Sequence, residues 1–274
     1  MDHEVKSFYD EYGIKEWNRL EENAYSRINY LLHMHFIKDH LKPGMNVLDA
    51  GCGSGRFSIE FAQMGCKVTL LDISNEQLRI AKEKIAEAEV SHNIEGFLQA
   101  DLNEKLNFDD ARFDIIVCYG APLSYILERR GEVIKEFHRL LKPNGKLFVS
   151  VNNKWGILKM LIGRQMTDFF SNPEYWMIDQ VIATGDLPKH EKVNQPARHF
   201  FEAQELRALF ENNGFNALKL GGSPCISCGN QANIEEMSKN SDALNTIVNI
   251  EIASYTKESM LDNGEFLLAM GVKK

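Results

Sequence analysis

The stretch "VLDAGCGSGRF", Val47 to Phe57, places Asp49 at the end of an apolar run and then glycines at alternate positions, Gly51, Gly53 and Gly55. Glycine is costly inside regular structure, so three within five residues mark a backbone that bends sharply or lets a ligand come close. A strand feeding such a turn and opening a helix offers unpaired backbone N–H groups to a nucleotide-like molecule. A dinucleotide loop would put its third glycine one place later, where Arg56 stands.

Two further acids follow at strand ends. "KVTLLDI" carries Asp72, at the distance downstream from which a carboxylate reaches the hydroxyls of a ribose held over the loop, and "LQADLN" carries Asp101, suited to an exocyclic amine of a base. Ile73 and Leu102 beside them supply flat apolar walls for a purine. Each acid also has a plainer reading. Asp72 can simply face the dipole of the next helix, Asp101 can be a turn former, and the glycine loop can be a tight turn without a ligand. Taken together, the three strand ends favour one adenosine-shaped site.

Other reactive side chains are scattered. Cys225 and Cys228 form a C-x-x-C pair, but no second pair follows and His190 and His199 are oddly spaced for zinc, so the sequence predicts two ordinary thiols and no metal. His33 and His35, two apart on a helix, point away from each other. Tyr119, Tyr125 and His199 are the candidates for a general base, each of them equally readable as a structural residue. Tyr9, Tyr12 and Trp17 could form an aromatic lid or simply pack the first helix.

The elements that must position these residues alternate along the chain. "SRINYLLHMHFIKDHL" is a helix with Ile28, Leu31, Leu32, His35, Phe36 and Leu41 on one face, ended by Pro43 and Gly44. Strand-like runs "NVLDA", "KVTLLDI", "IEGFLQAD", "FDIIVCYG" and "KLFVSV" then alternate with amphipathic helices, one of them opened by a Ser74–Gln77 capping box and another closed by "KPNG". The rhythm breaks between Asn152 and Pro196, a segment with Trp155, Trp176, Pro173 and Pro188 that matches neither period, and resumes with "FFEAQELRALFENNGF", "NALKLGG" and a closing "EFLLAMGVKK". Such a pattern implies an α/β fold, a Rossmann-like seven-stranded mostly parallel sheet with helices on both faces. The 274 residues are expected to form a single domain. Within it lie an N-terminal helical lid over 1–42, a ligand-binding half over 43–151, a substrate-covering insertion over 152–196, and C-terminal elements with a second insertion over 197–274.

The formal net charge of −8 disfavours a chain that coats nucleic acid, while leaving room for a local basic groove. With no apolar run of about 20 residues, no secretion signal and an odd number of cysteines, the sequence predicts a cytoplasmic protein with reduced thiols and no membrane span. It leaves the oligomeric state open.

The order and spacing of these motifs resemble the class I S-adenosylmethionine-dependent methyltransferases. "VLDAGCGSG" is similar to that family's cofactor loop, "FDIIVCYGAPLSY" to its fourth strand and active-site exit, and "LLKPNGKLFVSV" to the step into its fifth strand. The resemblance implies S-adenosylmethionine as cofactor and a last strand that runs antiparallel. It implies that Gly51 and Gly53 lie against the methionine part, that Asp49 seats its ammonium group, and that Tyr119 and Gly120 lie beneath the transferring methyl. A small-molecule methyl acceptor is the expected partner. Transfer RNA is the competing acceptor, and a nicotinamide-dependent oxidoreductase or a non-catalytic cofactor-binding protein are the readings from other classes.

Overall fold

The computed structural model describes residues 3–171, 177–190 and 195–274. The chain opens with three helices, α1 (His3–Tyr12), α2 (Lys15–Arg19) and α3 (Ala24–Ile37). It then alternates through β1 (Asn46–Ala50), α4 (Arg56–Gln63), β2 (Lys67–Asp72), α5 (Asn75–Glu87), β3 (Ile94–Gln99), β4 (Phe113–Cys118), α6 (Arg130–Leu140) and β5 (Leu141–Asn152). Next come α7 (Lys154–Gly163), α8 (Thr167–Ser171), α9 (Met177–Thr184) and a short ribbon of β6 (Asp186–Leu187) and β7 (Arg198–His199). The chain closes with α10 (Ala203–Glu211), β8 (Phe215–Ser223), α11 (Gln231–Met237), α12 (Ser241–Ser254) and β9 (Phe266–Lys273).

Seven strands form one sheet in the order β3-β2-β1-β4-β5-β9-β8. Strands β1 to β5 run parallel, and β9 runs antiparallel to both its neighbours, β5 and β8. A parallel core needs cover on both faces, which is why β1 and β2 are apolar almost throughout and buried along their length. On one face Ile28, Leu32 and Phe36 of α3 pack with Phe61 of α4 and Ile85 of α5 against Val47, Val68 and Phe148. On the other, Ile134 and Phe137 of α6 join Leu206 and Phe210 of α10 against Leu48, Ile116 and Leu147.

Helix α3 buries a stripe one step round from the expected one. Leu31 is exposed, and Asn29 and His33 lie inside beside Ile28, Leu32 and Phe36. The polar pair is tolerated because each is bonded: His33 Nδ1 sits 2.9 Å from the Asn29 carbonyl oxygen, and the Asn29 Oδ1 accepts from the Ser223 hydroxyl. The "KPNG" turn does not separate helix from strand. Strand β5 begins at Leu141, directly after α6, and absorbs the turn as an irregularity in its pairing with β4, with Asn144 at φ 62°. The segment over 152–196 is mainly helical, and its Pro173 and Trp176 lie outside the described residues.

Candidate active site

The glycine loop leaves β1 as a series of hydrogen bonds. Gly51 and Cys52 donate their N–H groups to the Leu71 carbonyl of β2, and the Gly55 N–H returns to Cys52. Gly51 has φ +80°, and a Cβ there would lie 2.4 Å from Pro122 Cγ, so only glycine lets the loop pass the chain leaving β4. Gly53 has φ +51°, and its N–H donates to Asp72 Oδ2 at 2.8 Å. That bond ties the loop to the end of β2.

A cleft opens over this corner, lined by Asp49, Gly51, Gly53, Asp72, Ile73, Asp101, Leu102, Tyr119, Gly120 and Tyr125. Gly55 does not line it. Its left-handed backbone starts α4, and a Cβ there would lie 3.0 Å from Ala81 Cβ, so a glycine lets the loop sit close against α5. Arg56, where a dinucleotide loop has glycine, reaches up to the N-terminal helices: its guanidinium lies 3.9 Å from the Trp17 ring centre, bonds the Trp17 carbonyl and pairs with Glu21.

The acids have distinct surroundings. Asp49 is 2% exposed, and among the described residues the one hydrogen bond its carboxylate receives comes from the Ser58 hydroxyl at 2.6 Å. Burial pushes its pKa up to about 7, and the neighbouring Asp72 adds to the rise. Asp72 accepts from Gly53 and from the Ser74 N–H, yet burial still lifts it to about 6. Asp101 accepts from the Asn103 N–H at 2.9 Å in a turn that fixes the carboxylate at the edge of the cleft. Gly120 donates its N–H to the Ser150 hydroxyl, which holds the exit of β4 against β5.

Helices α1 and α2 roof the cleft. Val5, Tyr9, Glu16 and Arg19 line it from above, and the Tyr9 hydroxyl donates to Tyr125 at 3.2 Å. Arg19 pairs with Glu16 and reaches over Gly120, its Nη2 3.5 Å from where a Cβ would stand. Gln77 turns from the expected capping box: Ser74 caps its N–H, but its own side chain donates to the carbonyls of Tyr9 and Gly13 and pins the roof to α5. Spacing from the loop gave no signal for Glu16 or Arg19. Tyr12 stacks on Phe8, and Trp17 binds Arg56, so of the three N-terminal aromatics it is Tyr9 that meets the cleft.

The three candidate bases separate. The Tyr119 hydroxyl donates to the His33 carbonyl under α3, and burial holds its pKa well above the usual tyrosine value. His199 lies between Asp186, 2.7 Å from Nδ1, and Glu205, 2.9 Å from Nε2, and is not among the described residues lining the cleft. These contacts tie the β6–β7 ribbon to α10. Tyr125 lines the cleft, and its hydroxyl accepts from Tyr9 of the roof. None of the described residues from 152 to 196 lines the cleft, and Trp155 faces outward, 44% exposed.

The thiols of Cys225 and Cys228 are buried, with burial raising their pKa values to about 11 and about 12. Cys225 Sγ bonds Glu251 and Cys228 Sγ donates to the Gly156 carbonyl. The Glu251 carboxylate also accepts from the N–H groups of residues 225, 226 and 227, so the motif is a buried turn.

Residues 47–145 match the family model described as a methyltransferase domain. The ubiquinone/menaquinone biosynthesis C-methyltransferase UbiE of Shewanella woodyi is 30% identical over 182 residues, covering 65% of this chain and 69% of that protein. The chain belongs to the class I S-adenosylmethionine-dependent methyltransferases. The Bacillus subtilis protein YqeM is 35% identical over 117 residues, covering 42% of this chain and only 45% of YqeM, so the chain spans less than half of that relative. A Thermotoga maritima S-adenosylmethionine-dependent methyltransferase shares the fold, with TM-score 0.61 and 19% identity over 98% of this methyltransferase chain and 99% of the other. No helix among the described residues is long and apolar enough to cross a membrane.

Proposed function

We propose that this methyltransferase moves a methyl group from S-adenosylmethionine to a small molecule by in-line displacement. The observation that carries the reading is Asp49. A buried carboxylate that, among the described residues, accepts from a single hydroxyl, at the mouth of a glycine turn, fits a ligand that brings its own cation. Asp72 keeps lone pairs free for ribose hydroxyls while its bonds to Gly53 and Ser74 fix its orientation. Ile73 and Leu102 flank the space for an adenine, and Asp101 meets its amino edge. Bound there, the cofactor supplies a methyl already activated on a sulfonium sulfur.

The chain's own contribution is then positioning. The Ser150 hydroxyl fixes Gly120 beneath the point of transfer, and the roof of α1 and α2 excludes water. Tyr125 is the residue we assign to proton movement, with the Tyr9 hydroxyl as its partner. We further assign residues 1–42 as the lid and 43–151 as the cofactor-binding half of one domain. Support for a small acceptor comes from the net charge of −8 and from relatives named for quinone biosynthesis. The test incubates the protein with methyl-labelled S-adenosylmethionine and either a panel of hydroxylated small molecules or bulk transfer RNA. Label in the organic-extractable fraction is expected, and label confined to the RNA overturns the small-molecule reading.

A further inference from the structure

Resting on the methyl-transfer reading, a second set of polar groups stands at the same sheet edge, beyond Tyr125. Asn152 ends β5 and is 8% exposed, yet its Oδ1 is buried with no hydrogen-bond partner among the described residues. Side chains alternate along a strand, so Asn152 shares its face with Ser150, whose hydroxyl holds Gly120. It also shares that face with Phe266, its antiparallel partner on β9, whose ring meets His33 of α3 at 5.6 Å. Asn152 therefore extends on the α3 side, one pleat beyond the glycine that underlies methyl transfer.

Arg198 of β7 comes to the same corner. Its guanidinium carbon lies 5.9 Å from the Tyr125 ring centre and 5.5 Å from that of Phe200, and its Nε is buried with no hydrogen-bond partner among the described residues. The two residues are joined through the backbone: Asn152 donates its N–H to the Ser124 hydroxyl, next to Tyr125, and its carbonyl accepts from Phe201. A buried acceptor and a buried donor left unpaired are expensive in a folded protein, and a site built to bond a ligand explains both. The guanidinium, within cation–π range of the Tyr125 ring, offers N–H donors in a fork that matches an oxyanion.

We propose that Asn152 and Arg198 bind the methyl acceptor, reading one hydrogen-bond donor and one anionic oxygen on the same small molecule. The acceptor class is a compact hydroxylated acid or an equivalent hydroxyl-plus-oxyanion. The test is calorimetry on the protein loaded with S-adenosylhomocysteine, with 2-, 3- and 4-hydroxybenzoate compared with benzoate and phenol. At least one isomer is expected to bind tenfold or more tightly than benzoate and than phenol. Asn152→Leu should abolish the preference over benzoate alone, and Arg198→Met the preference over phenol alone, while both variants keep wild-type affinity for S-adenosylhomocysteine and an unchanged or higher Tm. Asn152→Ser and Arg198→Lys repeat the comparison if either first variant fails to fold. The proposal is overturned if no isomer outbinds both reference compounds, or if folded variants keep both preferences. Failure of wild-type protein to bind S-adenosylhomocysteine at all would instead overturn the methyltransferase reading beneath it.

Discussion

Asp49 and Asp72 carry the account at the level of single residues. Both are carboxyls whose pKa is raised by burial, from an ordinary 3.8 to about 7 and about 6. The stability linked to such a group is present below its unfolded pKa and is lost as pH rises through the folded one. In the ligand-free protein these two acids therefore lower Tm between pH 4 and pH 7, and Asp49→Asn should flatten that slope in a thermal-unfolding series across the window. A cationic ligand reverses the preference by favouring the charged carboxylate. At pH 6.5, binding of S-adenosylhomocysteine should release a proton from Asp49, visible as a dependence of the calorimetric heat on buffer ionisation enthalpy that Asp49→Asn removes. The sequence made both acids legible because strand ends and a glycine turn leave a periodic signature. It hid Tyr119's orientation and His199's two carboxylate partners, because each depends on contacts with segments distant in sequence.

Among the elements, the loop and the roof make separable predictions. Gly51→Ala must adopt φ +80° and drive a Cβ into the rigid ring of Pro122, so strain and overpacking together should cost about 2–5 kcal/mol of stability in denaturant unfolding. Gln77 acts differently. Its side-chain NH₂ ties Tyr9 and Gly13 of the roof to α5, while its Oε1 is buried with no partner among the described residues. Gln77→Leu should leave the unfolding free energy within about 1 kcal/mol of wild type and speed release of S-adenosylhomocysteine several-fold in stopped-flow measurements. The parallel strands and their helices were readable from apolar runs and caps, Ser74 among them. A lid over 1–42 was expected, but its lining residues Glu16 and Arg19 were not, because α2 is only five residues long and that pair has the spacing of any surface salt bridge. The segment over 152–196 was less legible for a related reason: α7 places Trp155 outward, and a tryptophan's composition signal carries no direction.

At the scale of the whole molecule, one sheet order brings the first three strand ends and the exit of β4 to a single cleft, and the antiparallel β9 brings Phe266 opposite Asn152 at the same edge. That topology was legible because seven strand-like runs and their intervening helices leave few right-handed arrangements. Fold alone fixes no chemistry, so the claim rests on the cleft's selectivity for a sulfonium nucleoside over a dinucleotide. Arg56, committed to Trp17 and Glu21, closes the side on which a dinucleotide loop would carry its third glycine. The direct measurement is calorimetry of the wild-type protein and Asp72→Asn with S-adenosylhomocysteine and with NADH. The account predicts saturable binding of S-adenosylhomocysteine alone, weakened at least tenfold by Asp72→Asn, a loss of about 1.4 kcal/mol or more. Binding of NADH in place of S-adenosylhomocysteine, or an affinity that Asp72→Asn leaves unchanged, would contradict it.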